Sequence, residues 1–298
     1  KLQYQRSESA AGESKIGTLK DLVGTSPEFT AEAELIAGTT FEQRLQSLEK
    51  ITSLFGPDAP YILKPDMGQR GVGIKLIRTH EQAEAYLRRT SAPLIAQRYA
   101  PGPFEAGIFY YRFPHETRGH IFAITEKIFP VLTGDGRSTI SELVWNDPRA
   151  RFLAEKYLQR LDARRDEVLP AGETLKLVEA GNHAQGCIFR DGMRLNSLEL
   201  AARIDEISQK LTGFYIGRYD IRFASEADLR AGKNFQIIEL NGAAAEAASI
   251  DEARNSLWFA YRTLFRQWGM VFAIGAANRR RGCKPDKLLA VWKKWRDY

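Results

Sequence analysis

The spacing of apolar residues divides the chain into alternating helical and extended segments. Phe41, Leu45 and Leu48, with Thr52 beyond them, recur at steps of three and four, which predicts an amphipathic helix over Phe41–Phe55 that Gly56-Pro57 ends. Tyr61, Ile62 and Leu63 form a short apolar run of strand type. Gly68, Gly71 and Gly73 then mark a turn, and residues 72–77 begin the returning strand. Residues 81–89 predict a surface helix, 94–96 a strand, and Pro101-Gly102-Pro103 a turn. Residues 104–113 and 120–129 read as two antiparallel strands. Gly134-Asp135-Gly136 is a tight turn feeding a helix that Ser138 or Thr139 caps, with Glu142 in its first turn. A charged helix is expected over 151–167. Strands follow at 175–179 and 187–190, around a loop holding Asn182 and His183. A helix spans 197–212, and β-runs at 215–223 and 234–240 flank a polar loop. The tail reads as helical from about Asp251, broken near Gly275 and again between Arg281 and Pro285. Residues 1–30 are polar and predict a loose approach or a short helix. Paired strands with intervening helices predict α+β layers rather than a doubly wound parallel sheet.

Two segments carry candidate chemistry. In the first, Lys64 closes a strand and the glycine turn follows. Glycines let backbone N–H groups approach an anion, and a lysine adds a point charge to the same oxygens. The bland alternative is a turn and nothing more. In the second, residues 217–223 alternate, so Arg218, Asp220 and Arg222 share one face while Tyr219, Ile221 and Phe223 share the other. On the next strand the same alternation places Glu239 and Asn241 on one face, with Ile238 and Leu240 opposite. If the two strands pair, Asp220, Glu239 and Asn241 form one polar wall of the oxygen donors that Mg²⁺ prefers, and Arg218 can neutralise a phosphoryl group. The alternative is an ordinary ion-paired sheet face. A Walker A loop, a protein-kinase catalytic loop and a Rossmann fingerprint are all absent.

The 298 residues are 44% hydrophobic and 27% charged, which suits one large domain or two modest ones and excludes a disordered chain. The formal charge is +6, yet residues 251–298 alone sum to +7, so the basic character belongs to the tail. A body close to neutral argues against nucleic acid as a partner. Leu257, Tyr261, Phe265, Trp268 and Phe272 recur at helical steps in that tail. They predict a helix packed on the body or on a second subunit, with a membrane-surface helix aided by Arg279–Arg281 and Lys293-Lys294 as the alternative. Cys187 and Cys283 are too few and too far apart for a disulfide framework or a zinc cluster, and the four histidines lack zinc spacing. No secretory leader opens the sequence, which sets the expectation of a cytoplasmic chain, membrane-associated if the tail is used so.

These motifs, in this order, resemble the ATP-grasp superfamily over residues 61–248, and within it the carboxylate–amine ligases. The resemblance implies an α+β ATP-grasp fold, two α+β subdomains clasping ATP, with a C-terminal helical extension. It divides the chain into an N-terminal helical segment (1–55), a catalytic core (56–250) and a basic, aromatic-rich tail (251–298). Fewer than about sixty residues precede the phosphate strand, too few for the N-terminal domain usual in such ligases. Lys64, Gly68, Gly71 and Gly73 resemble the phosphate-covering loop. Residues 94–105 resemble the hinge, which implies Gln97, Arg98 and Tyr99 near the base and Glu105 on the ribose. Lys127 stands where the superfamily has another phosphate-facing lysine, and Asn182 lies in a loop near the transferred phosphate. Asp220, Glu239 and Asn241 match the metal signature for Mg²⁺, with Mn²⁺ as a substitute. Arg218, Lys127 and Arg70 take the catalytic places.

The implied reaction joins a small-molecule carboxylate to an amine through an acylphosphate, releasing ADP and phosphate. The alternatives are an ATP-grasp enzyme of other chemistry, such as a carboxylate kinase, and a non-catalytic nucleotide-binding, membrane-associated protein. A homo-oligomer is compatible with either.

Overall fold

The computed structural model describes residues 14–56, 58–68, 71–252, 254–284 and 292. Arg70, Lys293 and Lys294 lie outside the described residues. The first layer comprises α1 (Lys15–Thr25), β1 (Ala33–Leu35), α2 (Phe41–Phe55), β2 (Tyr61–Pro65), β3 (Lys75–Ile77), α3 (His80–Arg89) and β4 (Leu94–Arg98). Its strands pair antiparallel in the order β1-β4-β2-β3. Thr40 and Gln43 close a capping box at the start of α2, satisfying N–H groups that the first turn leaves unpaired. Leu48, Ile51 and Phe55 of α2, with Ala83 and Leu87 of α3, then pack on Leu63, Ile77, Leu94 and Ala96. The strand period of two sends Ile62, Lys64 and Gln97 to the uncovered face.

The second layer is a five-stranded antiparallel sheet of β5 (Phe104–Tyr111), β6 (His120–Ile128), β9 (Ile188–Asp191), β10 (Ile216–Phe223) and β11 (Phe235–Asn241), in the order β11-β10-β5-β6-β9. Helix α6 (Leu198–Lys210), capped by Ser197, buries Leu200, Ile204 and Ile207 against Ile108, Tyr110, Tyr219 and Ile221. The hairpin β7 (Val131–Thr133) with β8 (Thr174–Lys176) joins α4 (Ile140–Asn146) and α5 (Ala154–Arg160) in a third core around Ile140, Val144 and Tyr157. The short α7 (Glu226–Arg230) links β10 to β11. Helix α1 ties the layers together: Leu19 packs with Ala33 and Ile95, and Leu22 belongs to the core under the second sheet.

The architecture is α+β with antiparallel sheets, and three expectations change in detail. The charged helix over 151–167 is broken, with α5 between single 3₁₀ turns at 150–153 and 162–164. The chain turns back there because the carbonyls of Arg165 and Glu167 accept from the first N–H groups of α4, Ser141 and Ile140, at 2.9 Å each. The tail helix α8 (Leu257–Arg280) starts late, capped by Ser256, and runs through Gly275 without a break. One glycine costs a helix about 1 kcal/mol, and the buried Gln267 and Ile274 hold α8 to the body just before it. The aromatic stripe of α8 faces solvent instead of packing on the body.

The third change bears on the site. β10 and β11 pair, but the register slips between Asp220 and Ile221: Asp220 faces Glu239, and Ile221 faces Ile237. The extra residue, Ile238, is a β-bulge. It turns Ile237 into the core and leaves Ile238 beside Glu239 on the open face, the reverse of strict alternation. Ile237→Ala is therefore expected to lose about 2–5 kcal/mol of stability in urea unfolding. Ile238→Ala should lose less than half as much; the opposite order would contradict the bulge.

Candidate functional site

The uncovered faces of the two sheets enclose a cavity of about 610 Å³. Cross-strand register supplies its chemistry. On three neighbouring strands, Arg222 of β10 faces Glu105 of β5, and Glu105 faces Lys127 of β6. The side chains join into one row. Arg222 Nε donates to Glu105 Oε2 at 3.2 Å, and Lys127 Nζ donates to Glu105 Oε1 at 2.9 Å. Lys127 Nζ also lies 3.2 Å from Asp220 Oδ1, which accepts from Arg218 Nε at 3.2 Å. Signs alternate along the row, and every member except the half-buried Arg218 is almost fully buried.

For four members of the row, neighbouring charge outweighs burial. Burial alone would lower the Lys127 pKa, but the Asp220 and Glu105 carboxylates raise it above the ordinary lysine value. Burial would raise the Asp220 pKa, yet Arg218 and Lys127 hold it below the usual carboxylate range. Arg218 and Arg222 are likewise raised by Asp220 and Glu105 against the opposing effect of burial. Two glycines let other groups come close. A Cβ on Gly107 would meet Arg218 Cδ at 3.1 Å, and one on Gly181 would lie 2.3 Å from Glu105 Oε1.

Lys64 stands on the opposite sheet. Its ammonium donates to Gln97 Oε1 at 2.8 Å and to the Ile238 carbonyl at 3.1 Å. Gln97 Nε2 donates to the Ala31 and Ile238 carbonyls at 3.2 Å each. Burial pulls the Lys64 pKa down to about 8, with Glu239 opposing only in part. The bulge thus presents a carbonyl that anchors both groups across the gap between the sheets.

The cavity gathers Lys64, Gly68, Gly71, Gln97, Arg98, Tyr99, Glu105, Lys127, Asn182, Arg218, Asp220, Glu239 and Asn241, leaving Gly73 outside. Gly73 instead shapes the turn, with φ of +73° and its carbonyl bound by the Tyr86 hydroxyl. A Cβ on Gly71 would lie 3.4 Å from Ala180 Cβ and 3.7 Å from Asn182 Cβ. Some placements differ from simple ligand contacts. The Gln97 amide is bonded at both ends within the protein, and both Glu105 oxygens are held by cations. The Arg98 guanidinium is held by Glu32 at 2.9 Å and the Leu54 carbonyl. Asn182 Oδ1 caps its own turn by accepting from Ala184 N at 2.8 Å. Asn241 Nδ2 donates to Asp220 Oδ2 at 3.4 Å.

Lys15 was not foreseen. From the first turn of α1 it donates to the Gly68 carbonyl at 2.9 Å and lies 3.2 Å from Glu239 Oε1. It sits in a polar leading segment without periodicity, so nothing local marks it. Arg222 was placed on the correct face, but its partner Glu105 follows only from the β5–β10 register. Among the described residues, no three His, Cys, Asp or Glu side chains cluster as a metal site; Asp220 and Glu239 supply two carboxylates and Asn241 an amide.

No family model and no curated protein sequence matches the chain. Among solved structures it is similar to a bifunctional glutathione synthetase from Pasteurella multocida, at 14% identity and a TM-score of 0.42, covering 87% of this chain and 36% of that one. It is similar to the ATP-grasp ligase PsnB complexed with minimal precursor, at 13% and 0.43, covering 86% and 60%. It is also similar to D-alanine–D-alanine ligase from Bacillus anthracis complexed with ATP, at 12% and 0.42, covering 90% and 66%. The chain spans about a third to two thirds of the length of these structures. ATP-grasp ligases are what it is similar to; its own chemistry is read from its own residues.

Proposed function

We propose that this chain is an ATP-grasp enzyme that joins a carboxylate to an amine at the expense of ATP. The observation that supports this most is the cavity between two antiparallel sheets, with Lys64 on one wall and the Arg222–Glu105–Lys127–Asp220–Arg218 row on the other. Among its described lining residues there is no Ser or Cys nucleophile. The site offers fixed positive charge and alignment, the requirements of phosphoryl transfer.

The residues fit a divalent ion by donor type. Asp220 and Glu239 face each other across β10 and β11, and Asn241 follows on the same strand, all hard oxygen donors. Mg²⁺, or Mn²⁺ in its place, would be held by Asp220, Glu239 and Asn241 and would shield the oxygens of the triphosphate. Lys64, Lys127 and Arg218 balance the charge that moves during transfer. Gly68 and Gly71 cover the triphosphate and keep water out, Arg70 is assigned to the transferred phosphoryl group, and the Asn182 loop closes from the facing side. Tyr99 and the main chain of Arg98 border the base, Gln97 holds Lys64 in place, and Glu105 serves the ribose edge while bound to Lys127 and Arg222. A carboxylate oxygen of the substrate attacks the γ-phosphorus and ADP leaves. The amine nitrogen then attacks the acyl carbon, and phosphate departs with that carboxylate oxygen.

Oxygen-18 in the carboxylate substrate should therefore appear in the released phosphate, found by an ADP-release screen over amino-acid pairs with mass spectrometry. Phosphate free of label would remove the acylphosphate step, and acylphosphate without amide would indicate a carboxylate kinase. Asp220→Asn and Glu239→Gln should each lower ATP turnover by about 10²-fold or more with the circular dichroism spectrum unchanged. Near-normal turnover in both would defeat the metal assignment. Lys64 carries charge below about pH 8 and loses it above, so nucleotide binding should weaken as pH rises past that point. Calorimetry should show affinity about tenfold lower at high pH, with Lys64→Met weak and flat across the range.

A further inference from the structure

Helix α8 presents two different faces. Gln267 and Ile274 are buried, and Ile274, Met270 and Val271 pack with Phe109, Ala123 and Ile216. Gln267 accepts from Ala247 N at 2.9 Å and donates to the Ala245 carbonyl at 2.7 Å, so this face is fixed by polar bonds as well as by packing. Trp258, Tyr261, Phe265, Trp268 and Phe272 follow one another at steps of three and four. At about 100° per residue they occupy an arc of about 80°. Their exposures are 76%, 57%, 76%, 40% and 70%. Five aromatic side chains in one stripe on the surface form a continuous apolar strip that the described residues leave uncovered, well beyond scattered surface apolar residues.

The charge on the helix narrows what covers that strip. Its 24 residues include Arg262, Arg266, Arg279 and Arg280 and no Asp or Glu. Arg262, Arg266 and Arg280 fall on one flank of the stripe, and Arg279 continues its line. A second copy docking its own α8 here would bring two wholly cationic helices together with no acid between them. An anionic lipid surface offers the complement to both features, acyl chains for the aromatic rings and headgroup charge for the guanidiniums. No described helix is long and apolar enough to cross a membrane, so this helix would lie along the surface.

We propose that the exposed face of α8 docks on an anionic lipid bilayer, parallel to its plane, with Trp258, Phe265, Trp268 and Phe272 at the headgroup boundary and Arg262 and Arg266 against anionic headgroups. This is independent of the reaction carried out in the cavity.

The full chain is tested by sedimentation with vesicles of phosphatidylcholine alone and of phosphatidylcholine with phosphatidylserine. Binding to the mixed vesicles only, with tryptophan emission quenched by brominated lipid, is expected. Phe265→Ser with Trp268→Ser should abolish binding and quenching, with the thermal midpoint of the parent as a check on folding. Arg262→Glu with Arg266→Glu should weaken binding about tenfold or more. The proposal is overturned by absence of binding at low salt, or by binding without quenching, which is adhesion through basic residues alone. Binding that survives the aromatic substitutions overturns it too. So does a dimer that those substitutions dissolve in a chain with no affinity for vesicles, which assigns the face to a second copy.

Discussion

The site depends on an alternating row of buried charges laid across three strands. Removing a carboxylate or an ammonium from water costs several kcal/mol, and one partner repays that only with good geometry. Here each carboxylate has more than one. Glu105 binds Arg222 and Lys127, while Asp220 binds Lys127 and Arg218 and receives a weak contact from Asn241. The row ends in arginine on both sides, so its five charges sum to one positive. Strand register sets the spacing, because Arg222, Glu105 and Lys127 are successive cross-strand neighbours. A sheet holds such groups rigidly, and that rigidity gives fixed charges their value in stabilising a moving negative charge.

Lys64 is built on the opposite principle. Among the described residues it has no carboxylate within hydrogen-bonding distance, and its acceptors are the Gln97 amide and the Ile238 carbonyl. Neutral acceptors stabilise the ammonium less than ions do, so burial prevails and its pKa falls to about 8. On one wall of the cavity Lys127, Asp220, Arg218 and Arg222 are thus held charged by their partners, while the other carries a lysine whose charge is only loosely held. A carboxylate at position 97 would hold Lys64 charged and also satisfy it internally. The amide leaves the ammonium with attraction to spare for an anion arriving between the sheets.

Much of this was legible in the sequence because it lies on regular strands. Alternation over residues 217–223 correctly assigned Arg218, Asp220 and Arg222 to one face and Tyr219, Ile221 and Phe223 to the other. Glycine spacing located the turn beside Lys64. What escaped has physical reasons. The bulge at Ile238 is a register fault between two strands, invisible in either strand alone, and it moved Ile238 from the expected opposite face to the cavity. Lys15 reaches the cavity because α1 docks through Leu19 and Leu22 on two separate cores, a tertiary event with no local trace. The continuous α8 escaped because the penalty for Gly275 is small against the anchoring of Gln267 and Ile274.

The same α8 connects the far end of the molecule to the row. Gln267 is fully buried and bonds the segment 245–247 at two points. Within that segment, the Glu246 carbonyl accepts from Arg218 Nη1 at 2.9 Å. Arg218, the most exposed member of the row, therefore takes its position from one carboxylate on its own strand and from a loop held by a helix outside both sheets. An amide whose loss would leave buried backbone groups unpaired is a strong fixing point, worth more than its two bonds suggest.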